Sequence, residues 1–69
     1  MKKCKTYRLY DMYDGFDNRI LVCQSDSIQE VTSAAIRWNI EETDGECDLY
    51  LYRYLESEHK YRLVSSWSY

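Results

Sequence analysis

The residues whose type and spacing point most directly to chemistry are Tyr50, Tyr52 and Tyr54, at every second position of the run D-L-Y-L-Y-R-Y-L from Asp48 to Leu55. Successive side chains of a β-strand point to opposite faces, so the three phenols share one side, while Leu49, Leu51 and Leu55 share the other. A phenol row offers large contact area at low entropic cost, the property that enriches tyrosine in binding hot spots. The chemistry expected of it is association with a protein partner or with a second copy of the chain. The same rings would also serve as a stacking platform for single-stranded nucleic acid, the alternative reading. A net charge of −3 weighs against that alternative. A purely structural tyrosine ladder, covering an open sheet by cross-strand packing, is the third reading.

Charge is the second feature. Asp11, Asp14, Asp17, Glu41, Glu42, Asp44, Glu46 and Asp48 are expected at one end of the molecule, where the first hairpin loop meets the end of the helix. Lys2, Lys3, Lys5, Arg8, Lys60 and Arg62 gather at the opposite end, interrupted by Glu56 and Glu58. Such a dipole orients a domain on a charged partner, so the acidic end (Asp14, Asp17, Glu41, Glu42, Asp44 and Glu46 above all) is expected to set the approach. The competing reading is solubility, with Asp residues making local hydrogen bonds in turns.

Other constellations carry less. D-G-F-D-N from Asp14 to Asn18 offers oxygen donors but lacks the alternating ligands and distant glutamate of an EF-hand, and reads as a turn. Cys4, Cys23 and His59 are three soft donors without a C-x-x-C spacing to organise them, so no metal and no cofactor are expected. There is one histidine, no G-x-S-x-G and no glycine-rich phosphate loop. The carboxylates have no apolar pocket to raise a pKa, and one small core leaves little room for a cleft. The chain is expected to be no enzyme.

These residues must be positioned by a single domain, since the chain has 69 residues. Forty-five per cent hydrophobic and 30% charged residues, with two glycines and no proline, describe a folded chain rather than a disordered one. The three cysteines form no close pair, and MKKCKTYRLY lacks the apolar run of a signal peptide. Free thiols in a reducing cytoplasm are expected, with no membrane span.

Along the chain, Lys5–Tyr13 and Arg19–Gln24 read as a hairpin around Asp14-Gly15. Ser27 and Glu30 have capping-box spacing: the hydroxyl accepts from the Glu30 N–H and the carboxylate returns to the Ser27 N–H. Ile28, Val31, Ala35 and Trp38, with Ala34 beside them, form a buried helical stripe that Ile36 and Ile40 widen. The helix is expected from Ile28 to Glu42, stopped by Asp44-Gly45. Cys47–Leu55 and Lys60–Tyr69 make the second hairpin. Pairing Leu55 with Tyr61, Leu51 with Ser65 and Leu49 with Trp67 puts Leu63 and Trp67 beneath the helix. That register leaves Arg62 and Val64 facing the tyrosines and requires an odd loop around Ser57-Glu58-His59.

The order is ββαββ, an α+β fold with one helix on one face of a four-stranded, mostly antiparallel sheet. Spatial order 2-1-4-3 resembles, in element order, the β-grasp arrangement of immunoglobulin-binding bacterial domains. Order 2-1-3-4 is the expected one, because the third strand is the most apolar and belongs inside the sheet. A small interaction module of this kind, with a protein partner or homodimer and no nucleic acid, would suit an accessory protein of a phage or mobile element.

Overall fold

The computed structural model describes residues 5–43 and 45–68. Lys2, Lys3, Cys4, Asp44 and Tyr69 lie outside the described residues. The elements run β1 (Tyr7–Asp11), a 3-10 turn (Phe16–Asn18), β2 (Ile20–Ser25), α1 (Ile28–Arg37), a π-helical turn (Trp38–Glu42), β3 (Asp48–Leu55) and β4 (Lys60–Ser68). All strand pairs are antiparallel, and the sheet order is β2-β1-β3-β4. The expected ββαββ architecture is therefore present, with the apolar third strand inside the sheet.

The leucine side of β3 packs as its alternation requires. Leu49 is fully buried and Leu51 nearly so, together with Leu9 of β1, Val31 and Ala35 of α1, and Cys47. Tyr7, Val22, Cys23, Trp38 and Trp67 close the cluster. Among the described residues no helix is long and apolar enough to cross a membrane.

The helix starts where the sequence places it, but its cap is wired differently. Ser27 accepts from the Glu30 N–H at 3.3 Å. The return arm passes through Ser25, a buried hydroxyl that donates to Glu30 Oε1 and accepts from the Ser27 N–H at 3.0 Å. A serine at the end of β2 thus ties strand, cap and helix together. The expected helical span to Glu42 is filled, although the last turn widens to π geometry, with Thr43 N–H reaching the Trp38 carbonyl at 3.2 Å. Gly45 takes φ +84, the left-handed residue after the helix, and its N–H meets the Asn39 carbonyl at 2.8 Å.

Ile36 and Ile40 do not widen the buried stripe. They are 52% and 64% exposed, because one helix laid over β2 and β1 buries only its Val31–Ala35 line and no element flanks it.

The second hairpin carries the main departure. Leu49 pairs with Trp67 and Leu51 with Ser65 as expected, but Tyr52 then pairs with Leu63, Arg53 with Arg62, Tyr54 with Tyr61 and Leu55 with Lys60. The loop has four residues, 56–59, with His59 in the left-handed region at φ +53, and an even loop displaces the register by one. Val64 is the extra residue of the bulge that restores it. Helix cover runs out beyond β1, so an unbulged β4 would have left Leu63 and Tyr61 on bare sheet, away from the tyrosine rings they stand beside here. The bulge transfers both to the tyrosine side. A second bulge, at Val22 between the pairs Leu9–Cys23 and Tyr10–Leu21, turns Val22 and Cys23 together towards the core.

Candidate functional site

The face opposite the helix collects the even-numbered residues of β1 and β3. Tyr10 pairs with Tyr50 and Arg8 with Tyr52 across the two central strands, while Tyr54–Tyr61 and Tyr52–Leu63 extend the row into β4. The result is a contiguous surface of five half-buried tyrosines, with Leu63 exposed at its margin. The rings meet edge to face, as aromatic quadrupoles prefer: Tyr10 and Tyr52 have centroids 5.7 Å apart, Tyr54 and Tyr61 5.2 Å. The Tyr61 hydroxyl donates to the Lys5 carbonyl at 2.6 Å, which holds that ring in place.

Two arginines lie on these rings. The Arg8 guanidinium sits 4.5 Å from the Tyr61 centroid. Arg19, from the loop after Asp14-Gly15, lies 5.4 Å from Tyr10 and 4.2 Å from Phe16, and its Nη1 donates to the Phe16 carbonyl at 3.0 Å. The turn that presents Arg19 depends on Gly15 at φ +98 and ψ 165, an extended conformation of positive φ that a β-carbon would strain. Between the arginines and tyrosines lies an open depression of about 200 Å³, lined by Arg8, Tyr10, Met12, Phe16, Arg19, Tyr52 and Tyr61.

Of the residues singled out in the sequence, Tyr50, Tyr52 and Tyr54 stand together on this face. Arg62 does not: the register shift sends it to the other side, opposite Arg53, where its Nε donates to Glu58 Oε1 at 2.7 Å. That pair is exposed, the kind of ion pair that contributes little. Val64 is the bulge residue and has no partner position on β3. Arg8, Tyr10, Tyr61, Leu63 and Arg19 are the additions. For the first two the signal was present in T-Y-R-L-Y-D, whose alternation puts Arg8 and Tyr10 on one side and Leu9 on the other. For Tyr61 and Leu63 no local signal exists, because a bulge moved them.

The acidic end is partly assembled. Asp14, Glu42 and Glu46 line one open groove of about 420 Å³ with Tyr13, Ile20, Trp38 and Thr43; Asp17 and Glu41 are exposed and do not line it. Asp11 is no surface acid. It is 5% exposed and accepts from Tyr13 N–H at 3.0 Å, Asp48 N–H at 3.3 Å and Trp38 Nε1 at 2.8 Å. Asp48 accepts from Ser68 Oγ at 2.6 Å.

Of the three soft donors Cys4, Cys23 and His59, Cys4 lies outside the described residues, and among the described residues no group of three or more His, Cys, Asp and Glu side chains is placed to hold a metal. Cys23 and Cys47 are free thiols. Burial pushes both up from the usual 9.0, with Glu30 adding to the rise at Cys23 and Asp11 and Asp48 at Cys47. A thiol whose folded pKa is raised favours the folded state fully below the unfolded pKa, and that contribution is lost as pH rises through the folded value. We therefore expect stability to fall above about pH 9, and iodoacetamide to label Cys47 far more slowly in the native chain than in urea. Peptide mapping by mass spectrometry reads each thiol separately, and equal labelling rates with and without urea would contradict the burial of Cys47.

Comparison of the chain with protein-family models, with curated proteins and with solved structures found no match.

Proposed function

We propose that this chain is a small non-enzymatic interaction module that docks a protein partner on the open face of its sheet. The observation that carries this reading is the contiguous row Tyr10, Tyr50, Tyr52, Tyr54 and Tyr61, on the side of the sheet opposite the one α-helix of the described residues. Half-buried phenols that already pack edge to face lose little entropy on binding, so the face is pre-organised for contact. Exposed Leu21 and Leu63 stand at its two margins and extend its apolar area. The acidic groove at the end of the helix then orients the approach through its field rather than by direct contact. The free thiols suit work in a reducing cytoplasm.

Photocrosslinking tests this directly. A benzoylphenylalanine placed at position 52 is expected to capture a partner, whereas the same group at Gln29, exposed on the helix side, is not. The combined Tyr50→Thr, Tyr52→Thr, Tyr54→Thr change keeps strand propensity while removing the rings, and should abolish a crosslink placed at Tyr10. Capture that is equal from both faces, or unaffected by the triple change in a folded variant, would reject the docking face. Light scattering distinguishes a second copy of the chain from a different partner.

A further inference from the structure

We infer that the depression between Arg8 and Arg19 is a carboxylate-binding subsite of this face, which receives a glutamate or aspartate side chain from an extended acidic segment of the partner. The inference rests on the docking-face reading and adds the chemistry of what docks.

Three observations carry it. First, the depression holds two guanidinium groups and no acid: its lining is Arg8, Arg19 and uncharged side chains, and among the described residues neither arginine meets a carboxylate. In a chain of net charge −3 with twelve acidic residues, the two arginines of one depression thus have no carboxylate partner among the described residues. Second, Arg8 Nε is a buried donor with no acceptor among the described residues. Buried donors are nearly always satisfied, and one that is not calls for a missing acceptor. Third, both guanidiniums lie against ring faces, Arg8 on Tyr61 and Arg19 on Phe16 and Tyr10. Stacking fixes the plane of the fork and leaves its edge to bind, the geometry that suits a carboxylate held in two parallel hydrogen bonds.

Size and charge select the occupant. A space of about 200 Å³ is smaller than the roughly 300–1,000 Å³ of small-molecule pockets, so it takes a side chain rather than a nucleotide. A phosphate polymer would also have to approach a molecule of net negative charge with only these two cations lining the depression. A single carboxylate beside an apolar residue needs no more than the two arginines and the surrounding tyrosines.

The test is an NMR titration of the full chain, following the arginine Nε–H signals. The probes are the peptide TETYETET, its neutral counterpart TQTYQTQT, and an oligothymidylate. The acidic peptide is expected to shift the Arg8 and Arg19 Nε–H resonances saturably at millimolar concentration, and the neutral peptide is not. Arg19→Gln, on a surface loop where folding is not at stake, should weaken the acidic peptide by about tenfold or more, the loss expected for hydrogen bonds to a charged group. Arg8→Gln should do the same wherever its spectrum shows a folded chain. Equal shifts from both peptides, no saturable shift from the acidic one, or tighter binding of the oligothymidylate would each overturn the subsite. A crosslink from position 52 that persists undiminished in the Arg19→Gln chain would remove the carboxylate and leave the docking face standing. A crosslink from position 10 that is lost in the tyrosine variant and kept in the Arg19→Gln chain would show the same division.

Discussion

Asp11→Ala is expected to unfold most of the protein. Its carboxylate accepts three hydrogen bonds from donors on three separate pieces of chain: the Tyr13 N–H in the first loop, the Asp48 N–H at the start of β3, and the indole Nε1 of Trp38 in the π turn. Each buried donor left without an acceptor costs about 1–3 kcal/mol. Three together come to at least about 3 kcal/mol, against a core that in so small a domain supplies only about 3–5 kcal/mol. Urea unfolding followed by tryptophan fluorescence and far-UV circular dichroism reads the loss. Asp11→Asn retains one acceptor oxygen and should fall between the two, because Asn can serve either the backbone pair or the indole but not both. A midpoint unchanged in Asp11→Ala would show that water replaces the carboxylate, and that the π turn does not depend on it.

Leu49→Ala should be about as damaging, for a different reason. Leu49 is fully buried on a central strand between Asp11 and Trp67, and truncating a leucine there costs about 3–5 kcal/mol, since the cavity cannot close against a sheet. Leu63→Ala is the informative control. By its spacing in K-Y-R-L-V-S-S-W, Leu63 belongs beside Trp67 under the helix, yet it is 50% exposed on the tyrosine face. Its truncation should cost less than about 1 kcal/mol. Comparable losses from both variants, measured by the same urea midpoints, would place Leu63 in the core and return the hairpin to its unbulged register.

That contrast shows how far local pattern carries. The alternation of Asp48–Leu55 sorted its leucines from its tyrosines correctly, since adjacent residues of a strand must face opposite ways whatever surrounds them. The same rule applied to β4 succeeded at Trp67 and Ser65 and failed at Tyr61 and Leu63. One bulge at Val64 lies between the two halves. Ser27 was legible as a cap because its oxygen needs only the backbone three residues on. The role of Ser25 in the same cap was not, because it depends on where β2 ends relative to the helix. Asp11 was grouped with the surface acids by sequence position, and nothing nearby in the chain announces a tryptophan 27 residues away as its donor.

The candidate site divides along the same line. The sequence by itself determined the order of elements, the helix from Ile28, the buried leucines of β3 and the side of the sheet on which Tyr50, Tyr52 and Tyr54 lie. Each of these follows from interactions among residues close in the chain. Tertiary structure alone decided that Arg62 leaves that side, that Tyr61 and Leu63 join it, and that Arg8 and Arg19 come to rest on its rings. Those outcomes turn on loop length, bulge position and the reach of a single helix across β2 and β1, which are settled only when distant strands compete for the same cover.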